Sequence, residues 1–187
     1  MAAWGFKQIE NLDYSRVILL GASHRALFNH AAIFGQGDWE TPLGKVAVDE
    51  NLAKKFLDKN IIGDLVPHLR EHSLELELIF LQKVASKSKI LPILVSRPLP
   101  ETVESLAQKI SQNLNDNTLL VVSTDLSHYP PYETANEVDR QTIEAIISGS
   151  EKKFIQVINK LETANYSGLN TAACGQEAIR IALRVAE

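Results

Sequence analysis

Three short apolar runs, separated by sequence with helical patterning, constrain the fold more than any other feature. They are Arg16-Val-Ile-Leu-Leu-Gly21, Ile90-Leu-Pro-Ile-Leu-Val95 and Thr118-Leu-Leu-Val-Val-Ser123. Each is continuous rather than alternating, which suits a strand covered on both faces. The β-branched residues of the third support a strand. Pro92 has no N–H for a ladder, so it predicts an edge position or an irregularity for the second. A weaker strand is expected over Lys45 to Val48. Helices are predicted over Asp49 to Lys59, Glu71 to Ala85, Pro100 to Leu114, Tyr132 to Ile147, Glu151 to Leu161 and Gly175 to Val185. Their signals are apolar spacing of three and four, acidic or proline starts, and the Ser148-Gly149-Ser150 break. Alternation of this kind predicts an α/β sandwich.

The chain has 187 residues, which fits one domain, and 45% hydrophobic residues, enough for a core. Nineteen basic against 23 acidic side chains leave a net charge of −4. That balance argues against nucleic acid and against an anionic membrane surface as partners. A single Cys excludes an internal disulfide framework and a Cys-only zinc site, so the cytoplasm is the expected compartment. No apolar run approaches the roughly 20 residues of a membrane span. The opening residues Met1-Ala2-Ala3-Trp4-Gly5-Phe6-Lys7 lack the pattern of a signal peptide.

Ligands of α/β folds bind beyond the carboxyl ends of strands, and two of the apolar runs end in reactive residues. Arg16–Gly21 leads into Ala22-Ser23-His24-Arg25, and the third run into Ser123-Thr124-Asp125-Leu126-Ser127-His128-Tyr129. His24 can face a crevice there as a ligand or catalyst, or can simply cap a turn. His72 and Glu75, three apart at the expected helix start, share a face that suits a metal or solvent equally. Asp125 can orient an imidazole and His128 can move protons near neutral pH. Ser123 or Ser127 with His128 would make a hydrolase, although no Gly-x-Ser-x-Gly elbow is present. Cys174 precedes the last helix, whose N-terminus favours a thiolate; the alternative is a small buried hydrophobe. His30 and His68 read as structural.

The order of Gly-Ala-Ser-His (21–24), Glu-His-Ser-Leu-Glu (71–75), Ser-Thr-Asp-Leu-Ser-His-Tyr (123–129) and Cys-Gly-Gln-Glu-Ala-Ile (174–179) resembles the Memo family, also called AmmeMemoRadiSam system protein B. The likeness spans essentially the whole chain. It implies the fold of class III extradiol dioxygenases: a three-layer sandwich with a mixed, mostly parallel central sheet and helices on both faces. It also implies that His24, His72 and Cys174 are metal ligands, and that Asp125 and His128 are acid–base groups. Ser23, Glu75, Ser127 and Gly175 would line the pocket. Two imidazoles and a thiolate form a softer set than the two His and one carboxylate of the dioxygenases, and suit Fe, Cu or Zn. Ala22 stands where the family commonly has Pro.

The family usually carries Pro-His-Ala-Gly-Tyr and a Ser-Gly pair ahead of the segment that begins here at Met1, so a strand and a pocket His are expected to be missing. The expected function is metal-dependent redox or dioxygenase-like chemistry on an unknown substrate. The alternative is a non-catalytic module binding a peptide or small molecule in the same pocket. The family association adds a radical-SAM protein and an AMMECR-type domain as expected partners.

Overall fold

A computed structural model describes residues 2–187. Helix α1 (Ala2–Lys7) is followed by strand β1 (Arg16–Ala22), the short strand β2 (Ala31–Ile33), and a hairpin of β3 (Asp38–Thr41) and β4 (Gly44–Ala47). Helix α2 (Glu50–Phe56), strand β5 (Ile61–Gly63), helix α3 (Glu75–Val84) and strand β6 (Lys89–Val95) come next. The chain ends with α4 (Pro100–Asn113), β7 (Thr118–Val122), α5 (Tyr132–Ile147), α6 (Glu151–Thr163) and α7 (Gln176–Ala186).

The main sheet runs in the order β5-β2-β6-β1-β7. β1 pairs in parallel with β6 and β7, and β2 with β5; only the β2–β6 contact is antiparallel. The three apolar runs therefore sit side by side, β6 and β1 being interior strands. The period of two along β1 sorts its side chains between two layers. Ile18 and Leu20 join residues of α2, α4 and α7 on one face, while Val17 and Leu19 join α1, α3 and the hairpin on the other. α5 and α6 pack outside α7 around Phe154, Ile158 and Leu161. The result is the expected mixed, mostly parallel sandwich with helices on both faces.

One helix start is corrected. Of the two alternatives expected for Pro92, the irregularity is found and the edge position is not, since β6 is the central strand. Its Pro92 is accommodated because the β2 ladder stops there: Phe34 N–H donates to the Pro92 carbonyl at 3.1 Å, and the return bond from residue 92 cannot form. Pairing with β2 accordingly ends at Ile33↔Ile93. Helix α3 begins at Glu75 rather than Glu71, so His72 lies in a loop and does not share a helical face with Glu75. The Glu71 carboxylate takes the N–H groups of His72 and Ser73, a side-chain competition that delays helix entry. Asp49, by contrast, caps α2 from outside by accepting from Leu52 N–H.

Candidate metal centre

β1 delivers the chain to His24, two residues past its end, and a second loop meets it there. Gly21 permits the approach, since a Cβ at that position would stand 2.6 Å from Leu74 Cδ2. The second loop is pinned by Ser73 Oγ donating to the Ala22 carbonyl at 2.8 Å, and by Ser123 Oγ donating to the Ser73 carbonyl at 2.6 Å. Residues 21–24, 71–75 and 123 are thereby tied into one unit.

Glu71 is the hub. It accepts from the backbone N–H groups of His24, His72 and Ser73, and its Oε1 lies 3.0 Å from His24 Nδ1 and 3.2 Å from His72 Nδ1. Its side chain is 2% exposed. Burial on its own would raise this carboxyl, but the hydrogen bonds from His24, His72 and Ser73 outweigh it and hold Glu71 below the ordinary carboxylate value. A carboxylate only accepts, so the contact with His24 fixes its proton on Nδ1 and leaves the Nε2 lone pair available. The His24 and His72 rings stack with centroids 5.1 Å apart, and their side chains are 33% and 56% exposed. They are open to a ligand while Glu71 is not.

Cys174 is held on the facing side of a second group. Asp125 N–H donates to Cys174 Sγ at 3.2 Å, and Cys174 N–H donates to the Asp125 carbonyl at 3.2 Å. Gly175 N–H donates to Thr124 Oγ1 at 3.0 Å. A Cβ on Gly175 would lie 2.7 Å from the Ser123 carbonyl oxygen, so this close approach requires glycine. His128 is positioned by its backbone, with its N–H on the Thr171 carbonyl and its carbonyl receiving Asn170 N–H.

Side-chain atoms of the kinds that can hold a metal ion gather in two sets: His24, Glu71 and His72, and Asp125, His128 and Cys174. Within each, the atoms lie within 4.8 Å of one another. Cys174 falls with Asp125 and His128 rather than with the two histidines, yet Cys174 and His24 line one cleft of about 220 Å³, together with Ser23 and Glu177. Ser23 spends its hydroxyl on the turn, donating to the Ala26 carbonyl and accepting Ala26 N–H. Glu75 is exposed and lines a different cleft with His72. Ser127 is anchored through its N–H to Asp139, and its hydroxyl is buried without a partner. Ser123 Oγ donates to the Ser73 carbonyl and lies 3.2 Å from Glu77 Oε1, and no serine hydroxyl bonds to the His128 ring among the described residues.

Glu71 is the site residue that sequence reasoning misses. Its one signal is its place directly before His72.

A profile of Memo-like proteins matches residues 1–187. A MEMO1 family protein of Sulfurisphaera tokodaii is 36% identical over 151 residues, covering 77% of this chain and 53% of that protein. A MEMO1 family protein of Thermotoga neapolitana is 32% identical over 176 residues, covering 90% of this chain and 64% of the relative. One from Saccharolobus solfataricus is 33% identical over 178 residues, covering 91% and 60%. The chain thus spans between about half and two thirds of the length of these relatives.

Proposed function

Because this chain belongs to the Memo family, we propose that it binds one metal ion through His24, His72 and Cys174 and supports redox or oxygenase-like chemistry there. The observation that carries this reading is the Glu71 carboxylate beside Nδ1 of both histidines. Metal-ligating imidazoles typically give their second nitrogen to such a partner, which sets ring orientation and raises ligand basicity. Imidazole and thiolate donors suit iron, copper or zinc. A bound ion would supply one-electron or Lewis-acid chemistry.

The chain's own residues would do the remainder. Glu71 keeps the proton of His24 on Nδ1 and bars that nitrogen from coordination. Asp125 N–H donates to the Cys174 sulfur, which fixes where that sulfur points. His128 and the Asp125 carboxylate, in the same group as Cys174, would hold and move protons beside its sulfur. The small cleft between His24 and Cys174 admits a small molecule or one side chain of a peptide.

Elemental analysis after reconstitution with Fe, Cu or Zn tests the reading. The expected result is about one equivalent per chain, lost in His72→Ala and in Cys174→Ser. Retention unchanged by both substitutions overturns it. Oxygen consumption by the loaded protein then separates turnover from the binding-only alternative.

A further inference from the structure

The segment that joins α6 to α7 carries Cys174, and one side chain of α6 gathers it. Glu162, in the last turn of α6, accepts at Oε1 from the Thr171 hydroxyl at 2.9 Å, from the Ala172 N–H at 3.0 Å and from the Gln176 amide nitrogen. Gln176 Nε2 also donates to Thr171 Oγ1 at 3.0 Å. The Thr171 carbonyl in turn receives the His128 N–H. Thr171, Cys174 and Gln176 all line the cleft of about 220 Å³ that holds His24, whereas Glu162 does not. Glu162 therefore acts on that cleft from behind its wall.

A carboxylate has no hydrogen to give, so the Gln176 amide is not free to turn over. Its nitrogen faces Glu162 and Thr171, and Oε1 points the other way. Oε1 accepts no hydrogen bond among the described residues and is not one of the buried atoms left without a partner, so it is open to solvent. The neighbouring polar groups are mostly spent. The Thr171 hydroxyl serves Glu162 and the Ala173 carbonyl, Ser23 is used in its own turn, and Glu177 gives one oxygen to Arg180. Ser96 can donate or accept, so it does not discriminate. What the wall holds in a fixed direction is an acceptor, the Gln176 oxygen. A site built around such a group selects molecules that supply the matching hydrogen and rejects analogues that lack it.

We propose that Glu162 and Gln176 form a positioning pair that fixes an acceptor in this cleft, and that the molecule taken there presents an O–H or N–H to Gln176 Oε1. The proposal deepens the reading of the cleft between His24 and Cys174 and rests on it for what the cleft serves. The hydrogen bond itself needs no metal.

Metal-free protein supplies the test, with its one cysteine as reporter. Cys174 exchanges with hydroxyethyl disulfide or with methoxyethyl disulfide: its thiolate attacks one sulfur, the reagent's S–S bond breaks, and one substituted ethanethiolate leaves. Each rate is divided by the rate of the same reagent with glutathione, which removes intrinsic reactivity. The two reagents differ in whether they bring an O–H into the cleft. The hydroxyl reagent is expected to be favoured by about threefold to tenfold, the value of one hydrogen bond. Glu162→Ala and Gln176→Met are each expected to bring that ratio to about one, as loss of a single such bond requires. Tyr166→Phe removes a contact of the same segment with Glu137 without touching either residue, and is expected to keep the preference. The Gln176 side-chain amide protons should exchange slowly in NMR and become fast in Glu162→Ala. Equal normalised rates in the unsubstituted protein, or a preference that survives both substitutions, overturns the proposal. If Glu162→Ala fails to fold, the ratio in Gln176→Met decides. Metal uptake by the same preparations is scored apart: a preference without uptake overturns only the metal reading, and uptake without a preference overturns only this one.

Discussion

Glu71 binds His24 twice. One carboxylate oxygen receives the backbone N–H of His24 and the other lies 3.0 Å from Nδ1 of the same residue. The two residues are 47 apart in sequence, so this double contact closes one site-bearing loop onto the other. Position and tautomer of His24 are set by the same side chain.

Replacing Glu71 should therefore damage stability and metal affinity together. Glu71→Ala leaves three backbone N–H groups without their acceptor and should cost about 2–4 kcal/mol in denaturant unfolding. Glu71→Gln keeps the shape but puts an amide N–H against one set of donors, and should lower metal affinity by about 10–100-fold. The Glu71 carboxyl is held below its ordinary value of 4.5. Its contribution is then complete above that value and is lost as pH falls through the depressed folded pKa. Acid unfolding of the Gln variant should lack that component.

His68 gives the opposite kind of titration, a base kept neutral by burial. Its pKa is lowered from 6.5 to about 4, so between those values the unfolded chain binds a proton that the folded chain refuses. Stability should rise with pH across that window and fall on acidification, by up to about 3 kcal/mol in total. Denaturant melts at intervals from pH 7 to pH 4 should show this slope, and His68→Leu should flatten it.

Gly175 lies against backbone and should tolerate no side chain. A Cβ there would meet the Ser123 carbonyl at 2.7 Å and Thr124 Cβ at 2.7 Å. Gly175→Ala should cost about 1–3 kcal/mol by overpacking. It should also loosen the Asp125 N–H to Cys174 Sγ bond, and so change the rate at which Cys174 reacts with a disulfide reagent. Gly21→Ala, which meets the Leu74 side chain instead, should be milder.

Tyr129 is held at φ 68, in the left-handed region, with its ring edge-on to His128 at 5.8 Å. A non-glycine residue there costs about 1 kcal/mol or more. Tyr129→Gly should relieve that strain, and thermal unfolding should show little loss or a small gain. Gly168→Ala, whose Cβ would stand 2.9 Å from the Tyr129 carbonyl oxygen, should destabilise.

How far the sequence reveals this molecule depends on how local each signal is. β1, β6 and β7 are legible because apolar continuity is written within five to seven residues. Helices α4 to α7 are legible from spacing and from Pro100, Ser150 and Gly175 at their starts. β2 and β5, three residues each, are too short to display a period. The strand order and the antiparallel step at β2 come from long-range packing that no window contains. At the site, His24, Asp125 and His128 stand out by residue type and by position beyond strand ends, and His72 and Cys174 by residue type ahead of helices. Glu71 does not, since a glutamate ahead of a helix has an ordinary explanation and its partner His24 is remote in sequence. The grouping of Cys174 with Asp125 and His128 is likewise set by the bonds of residues 124 and 125 to residues 174 and 175.

Pro92 has a consequence for assembly of the sheet. A β-strand can slide along its neighbour when every residue offers the same donor and acceptor, and a slip of one position would turn each inward side chain outward. With no N–H at residue 92, β2 meets a position on β6 where half of the pairing is missing, and its ladder ends there. The proline thus works as an end-stop that sets the alignment of β2 as the strands come together.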